Sequence, residues 1–482
     1  MESQVEMLTG IAWSLFHRFW LPALLVWGGA RFVMGVSVSY LLQCVILELL
    51  LKVQVLIFTS EALVQPKASQ GAPSLTAEEK QLQLRGCKVV SPKDYTASGQ
   101  SLPPSKKVST MFKDPPAGQR MEYGGSSSSS SSHLGRKPQE ATSLGLVEED
   151  WLQRRNCLRE GAEVHRQVRQ FLQQKVRPGI QLLEIAEMAS SSLVAFDPRN
   201  PLRRGWAFPT GLSLNEVAAH DTVNPGDAAR YLRPADLLKV DFGVHVEGHI
   251  LDCAFSMSFD PMHDELMRAV QEATEEGLRQ VGHDARICEV SRCIQEVMEA
   301  GEVHHPNGKV LPVKVIKNLT GHMIGPYKIH AGKSLPSVNT GDQTRMLAGE
   351  LWAVETFGSV GGYGYVGHGG NCSHFMRASS AAPTWQSSVL SAKATDLLEL
   401  IDKRFGTLAF CPRWVVQEAE RSKSKMAKGN QMWWSSPLDE LCNLGVVNRY
   451  PPLADLQGSF TAQYEHTVLL GSSGKEVGGT RV

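Results

Sequence analysis

An α+β domain, with antiparallel sheets flanked by helices, is the fold class this sequence predicts. Two observations carry it. Segments of helical and of strand periodicity are interspersed without βαβ regularity. The stretch "LLKVDFGVHVEGHILDCAFSMSF", residues 237–259, reads as two strands joined by a tight turn at Glu247-Gly248. A chain of 482 residues, 42% of them hydrophobic, can bury one large core or two ordinary ones, which excludes disorder throughout.

The elements follow in order. Residues 1–65 form a hydrophobic N-terminal segment in which only Arg31, Glu48 and Lys52 are charged between positions 19 and 58. Its longest charge-free piece, 32–47, is shorter than the ~20 apolar residues a spanning helix needs, whereas 19–47 would span if Arg31 were tolerated. The segment is compatible with a membrane anchor through residues 19–60, a targeting region, or a misassigned start. Residues 66–146, with Pro103-Pro104, Pro115-Pro116 and serines from 126 to 132, read as a disordered low-complexity linker. From residue 147 onward the chain is globular in character. A helix is expected over "EEDWLQRRNCLREGAEVHRQVRQFLQQKV", with Trp151, Leu158, Val164, Val168 and Leu172 at helical spacing and a stop at Arg177-Pro178-Gly179. Further helices are expected at 182–195, 264–281, 287–300 and 394–405, and strands at 310–316, 350–357 and 462–470.

Charge and cysteine usage narrow the function classes. The 49 basic residues balance 49 acidic ones, so no field favours nucleic acid as a partner. Nine cysteines without a C-x-x-C pair read as free thiols of a reducing compartment.

The chemistry starts with two carboxylates inside the hairpin. Counting from the turn places Asp241 opposite Ala254 and Asp252 opposite Gly243, so both aspartates share one face with Cβ atoms roughly 5–8 Å apart. Two unpaired anions at that distance repel, and a divalent cation between them removes the conflict. An isolated D-x10-D is weak evidence, because surface strands carry aspartates freely. Three more segments each set one ligand type in apolar surroundings: His322 in "NLTGHMIG", Glu355 in "LWAVETFG" and Glu465 in "FTAQYEHTVLL". None of these strings holds an Arg or Lys, and ionised carboxylates in strand interiors are costly unless paired. One shared cluster of two cations ~3.5–4 Å apart would satisfy all five side chains.

The strings "AFPTG", "AAH", "VDFG", "ILDCAF", "GHMIG", "IHAGK", "ETFGS", "FGTLAFC" and "YEHTVLL" occur in that order. Through them residues 200–482 resemble the type 2 methionine aminopeptidases, metallopeptidases of the pita-bread (creatinase/aminopeptidase) fold. The resemblance implies a catalytic domain over 147–482 with a helical insertion at about 378–448. It implies two divalent ions (Mn, Co, Fe or Zn), with Asp252 and Glu465 bridging and Asp241, His322 and Glu355 completing the ligand set. The implied reaction is removal of the N-terminal methionine from nascent peptides and proteins by hydrolysis of the first peptide bond. Glu355 would also handle the proton of the attacking water. His220 and His330 match positions that contact the substrate peptide bond and the developing oxyanion; a lone histidine is more often structural, so both roles rest on the resemblance. Phe208, His374 and Tyr450 match the methionine pocket, with plain packing as the alternative for each.

The resemblance further implies a monomeric, cytoplasmic enzyme acting on nascent chains, the alternative being membrane-anchored or organelle-targeted through the N-terminal segment. Ribosome association is expected of such enzymes, yet the extension before Val147 lacks their basic and acidic tracts. Trp433-Trp434 reads as an exposed loop insertion. Gly362, Gly364 and Gly367 spell G-x-G-x-x-G, but with no helix following they do not make a dinucleotide site. Asn318-Leu-Thr fits a glycosylation sequon, but it lies too near His322 to be occupied. A scaffold protein on the same fold would lack the ligands, and an X-Pro aminopeptidase or dipeptidase would lack the helical insertion.

Overall fold

Antiparallel pairing around one two-residue turn organises the domain. The computed structural model describes residues 105–107, 148–194, 200–305, 307–378, 390–428, 432–472 and 474–478. The N-terminal hydrophobic segment and nearly all of the linker therefore lie outside the described residues. In chain order the principal elements are helices α1 (Glu148–Lys175) and α2 (Leu182–Val194), and strands β1 (Arg204–Leu214), β2 (Leu237–Val246) and β3 (His249–Ser258). Helices α3 (Asp264–Gln280) and α4 (Ile287–Glu299) follow, then β4 (Thr320–Ile324), β5 (Leu351–Val360) and β6 (His374–Arg377). Helices α5 (Ala392–Arg404), α6 (Pro412–Arg421) and α7 (Ser435–Asn443) lead to β7 (Val447–Tyr450), β8 (Phe460–Leu470) and β9 (Lys475–Gly478).

Between β2 and β3 the turn residues Glu247 and Gly248 both have positive φ, 50° and 81°, as a type I′ hairpin turn requires. A Cβ at Gly248 would stand 2.2 Å from the Tyr327 ring, so glycine is needed for packing as well as conformation. The register follows from that turn: Asp241 pairs with Ala254 and Gly243 with Asp252, as expected from the sequence.

Strands β1, β2 and β3 form a three-stranded sheet in that order. A second, seven-stranded sheet runs Ser105–Lys107, β9, β8, β5, β4 and Ser334–Pro336, with Lys314–Val315 pairing β5 to one side. Helices α1 and α2 pack on the small sheet, and α3 and α4 on the large one. With helices over each sheet and the two sheets joined along β3 and β8, β2 and β5 are buried almost end to end. Val164, Val168 and Leu172 of α1 are fully buried, at roughly 1.5–3 kcal/mol each relative to exposure.

The sheets meet along β3 and β8, where side-chain hydroxyls replace a ladder. Thr467 Oγ1 accepts from the Asp252 amide (2.8 Å) and donates to the Asp252 carbonyl (2.7 Å). Ser256 Oγ likewise accepts from the Gln463 amide (2.8 Å) and donates to the Gln463 carbonyl (2.9 Å).

Four features differ from the sequence expectation. The strand anticipated at 310–316 is two short ones, because Val310–Pro312 pairs with Glu302–His304 whereas Lys314–Val315 pairs with β5, and the chain changes sheet at Val313. Strand β1 was not anticipated; it carries Pro209 between two glycines, Gly205 and Gly211, and its register shifts on both sides of Phe208. Ser105–Lys107, within the presumed linker, pairs with β9, whose edge offers free backbone groups to any short segment. Trp433-Trp434 is not exposed: Trp434 is only 7% accessible in the main core and Trp433 packs against it, because the three-helix excursion α5–α7 needs apolar filling of its own. Among the described residues no helix is long and apolar enough to cross a membrane.

Candidate metal centre

Each candidate ligand is placed by strand geometry. Asp241 sits mid-β2, and Asp252 on β3 opposite Gly243. Glu355 of β5 pairs directly with Glu465 of β8, while His322 of β4 pairs with Ala353, two residues from Glu355 and therefore on the same face. His322 Nε2 stands 3.6 Å from Asp252 Oδ2 and 3.5 Å from Glu355 Oε1. Ligand atoms of Asp252, His322 and Glu465 all lie within 4.8 Å of one another. All five side chains line one cavity of about 250 Å³.

The electrostatics of this cluster are unbalanced by protein groups alone. Burial, then the charge of Asp241, pushes Asp252 well above the usual carboxylate range. Burial followed by the neighbouring carboxylates does the same to Glu355 and Glu465, and burial raises Asp241 to about 7. Asp241 Oδ1, Asp252 Oδ1 and Glu465 Oε1 are buried without a hydrogen-bond partner. Buried acceptors in this condition are costly, and four carboxylates with one imidazole form the donor set that divalent Mn, Fe, Co or Zn takes. The residues present therefore fit two divalent ions.

A stability consequence follows from these directions. Acids whose folded pKa lies above the unfolded value of about 4 destabilise the metal-free fold progressively as pH rises past that value. Bound cations reverse this by favouring the ionised form, and they add about 2.7 kcal/mol at a free concentration 100 times Kd. Chelation is thus expected to lower the melting temperature at pH 7.5 and to have a smaller effect near pH 5. Calorimetry with and without chelator checks this, and equal shifts at both pH values would argue against ions at this cluster.

The second group of residues faces the same cavity. His220, His330, Phe208, His374 and Tyr450 all line it. His220 holds a left-handed backbone, φ 64°, uncommon for a residue with a side chain and typical of functional positions. Around it, Ser373 Oγ donates to the His220 carbonyl (3.2 Å), accepts from the Thr222 amide (3.1 Å) and lies 3.0 Å from His374 Nδ1. Arg230 clamps Asp221 in a two-pronged pair at 2.5 and 3.1 Å. The His220 ring lies 5.9 Å from that of His374 and 6.0 Å, edge-on, from Tyr450. His330 stands T-shaped against His322 at 4.3 Å. Burial lowers His220 to about 4 and His374 to about 3, and it also lowers His330, so all three are neutral imidazoles at neutral pH.

Phe208 reaches the cavity across Gly243, where an added Cβ would meet its ring at 2.2 Å. Leu319, Ile329, Phe357 and Met376 complete an apolar wall that the sequence reading did not name. Ser373 and Gln463 were also missed. The signal for Gln463 was its place two residues before Glu465 on the same strand face. Asn318 lines the cavity and spends its side chain on the Val366 carbonyl (2.7 Å) and amide (2.9 Å).

Two sheets backed by helices, with four carboxylates and an imidazole gathered at their junction, define a metallohydrolase of pita-bread architecture. The profile of Metallopeptidase family M24 matches residues 156–379. Methionine aminopeptidase 2 of Dictyostelium discoideum is 42% identical over 380 residues, covering 78% of this chain and 81% of that protein. Methionine aminopeptidase 2 of Schizophyllum commune is 48% identical over 320 residues, 66% and 72% of the two chains. A thermophilic Arx1 structure superposes with a TM-score of 0.54 at 16% identity, covering 70% of this chain and 92% of that one, which bears on fold alone. The chain belongs to the methionine aminopeptidase 2 family. It is a metalloexopeptidase that removes N-terminal methionine with two divalent metal ions.

Proposed function

We propose that Asp241, Asp252, His322, Glu355 and Glu465 would hold the two ions. The observation that carries this reading is the convergence of these five buried groups on one cavity, with three carboxylate oxygens lacking any partner. Ions held there would lower the pKa of water toward neutrality and polarise the scissile carbonyl. Glu355 accepts the proton of the attacking water. His220 and His330, neutral in their buried settings, donate hydrogen bonds to the substrate carbonyl as negative charge develops on its oxygen. Phe208, His374 and Tyr450, with the apolar wall beside them, take the methionine side chain, an unbranched thioether suited to an irregular apolar pocket. The carboxylates around the ions receive the free α-amine, which restricts the site to chain ends.

The substrate class is peptides and proteins beginning with methionine, and we extend this to nascent chains handled by a monomer in the cytoplasm. Seven cysteines among the described residues are free thiols, as a reducing compartment requires. In this reading residues 1–65 are the hydrophobic segment that would serve any membrane attachment, 66–146 the linker and 147–482 the catalytic domain. The purified full-length chain with added Mn²⁺ or Co²⁺ is expected to release free methionine from Met-Ala and Met-Gly peptides and to leave N-acetylated ones intact. An inert, metal-loaded protein would overturn the assignment of these residues.

A further inference from the structure

We propose that Gln463 is a positioning residue that fixes the separation of Asp241 and Glu355, and through them the affinity of the ion pair. The inference rests on the ligand set above. Gln463 is fully buried on β8, two residues from Glu465 and so on the same strand face. Its side-chain Nε2 lies 3.1 Å from Asp241 Oδ2 and 3.4 Å from Glu355 Oε2. An amide nitrogen carries two hydrogens, one for each carboxylate.

These two acids come from different sheets, Asp241 from the small one and Glu355 from the large, so no backbone ladder sets the distance between them. Gln463 supplies that missing constraint. Its own main chain cannot drift, because the Ser256 hydroxyl holds both its N–H and its carbonyl across the sheet junction. The clamp uses one oxygen of each carboxylate and leaves Asp241 Oδ1 unpartnered and Glu355 Oε1 facing His322 Nε2 at 3.5 Å. It therefore selects which oxygen each acid presents.

The chemistry of the residue fits the task. A lysine here would neutralise the acids as a fixed cation and compete with a metal ion, and a glutamate would add another anion. A neutral amide donates to both acids without altering the charge the ions must balance. Outer partners of metal ligands typically change affinity by roughly 10–100-fold when lost.

The test uses full-length wild type, Gln463→Glu, which keeps the shape and removes the donors, and Gln463→Asn, which keeps the amide but is too short to span both acids. Mn²⁺ titration calorimetry is expected to show two ions per wild-type chain. In both variants at least one ion should bind roughly 10–100-fold more weakly, with wild-type circular dichroism and recovery of kcat at saturating Mn²⁺. Folded variants that bind both ions with wild-type affinity overturn the positioning role. Wild-type protein that binds no ion strikes instead at the ligand assignment.

Discussion

Replacing Asp252 by asparagine is expected to leave fewer than two ions bound per chain and to lower kcat/KM by about 10³-fold or more, the equivalent of roughly 4 kcal/mol. The side chain lies in the only group of three ligand atoms gathered within 4.8 Å among the described residues. The fold should survive, because the contacts that lock Asp252 to β8 are main-chain bonds to the Thr467 hydroxyl and remain in the variant. Loss of one charge from a crowd of buried acids also relieves repulsion, so metal-free Asp252→Asn should melt no lower than metal-free wild type. Metal analysis, thermal denaturation and peptide turnover measured together decide the matter. A variant with two ions and full turnover would remove Asp252 from the proposed ligand set.

Glu355→Gln is expected to lower kcat by roughly 10²–10⁴-fold with little change in KM, the loss typical of removing a proton-transfer group. The substitution keeps the shape and the register opposite Glu465, so the shape of the cavity is retained. Excess metal should not restore the rate, in contrast to the recovery expected for the Gln463 variants. Steady-state kinetics across metal concentrations separates the two behaviours, and unchanged kcat would show that another group takes the proton.

Much of this cluster was legible in the sequence because four of its five side chains, Asp241, Asp252, Glu355 and Glu465, stand on strands of ten or eleven residues. Hairpin β2–β3 has a turn that only certain residues form, and a two-residue turn sets every pairing behind it, so the shared face of Asp241 and Asp252 was derivable. His322, Glu355 and Glu465 stood out as costly groups in apolar strings. What the sequence could not show was contact between separate sheets. Ser256, Thr467 and Gln463 look like ordinary strand residues until β3 and β8 are laid side by side. Strand β1 escaped because it holds Pro209 and shifts register twice, which breaks the regular alternation that marks a strand. The strands β6 and β7, which carry His374 and Tyr450, are four residues each, too short for alternation to register. Trp434 was misjudged since a polar, glycine-containing neighbourhood gave no sign that the helices of the insertion share a common interior.

The hydroxyl-made junction between β3 and β8 also bears on how the molecule comes into being. Asp241 and Gln463 touch although 222 residues separate them along the chain. Contacts of such span form late and slowly, since a long loop must close before they repay its entropy. A polypeptide interrupted before Phe460 would own three of the four acids and the imidazole yet lack the strand that joins the two sheets. Completion of the cluster therefore waits on β8, which carries Glu465 and Gln463 and is among the last strands of the chain.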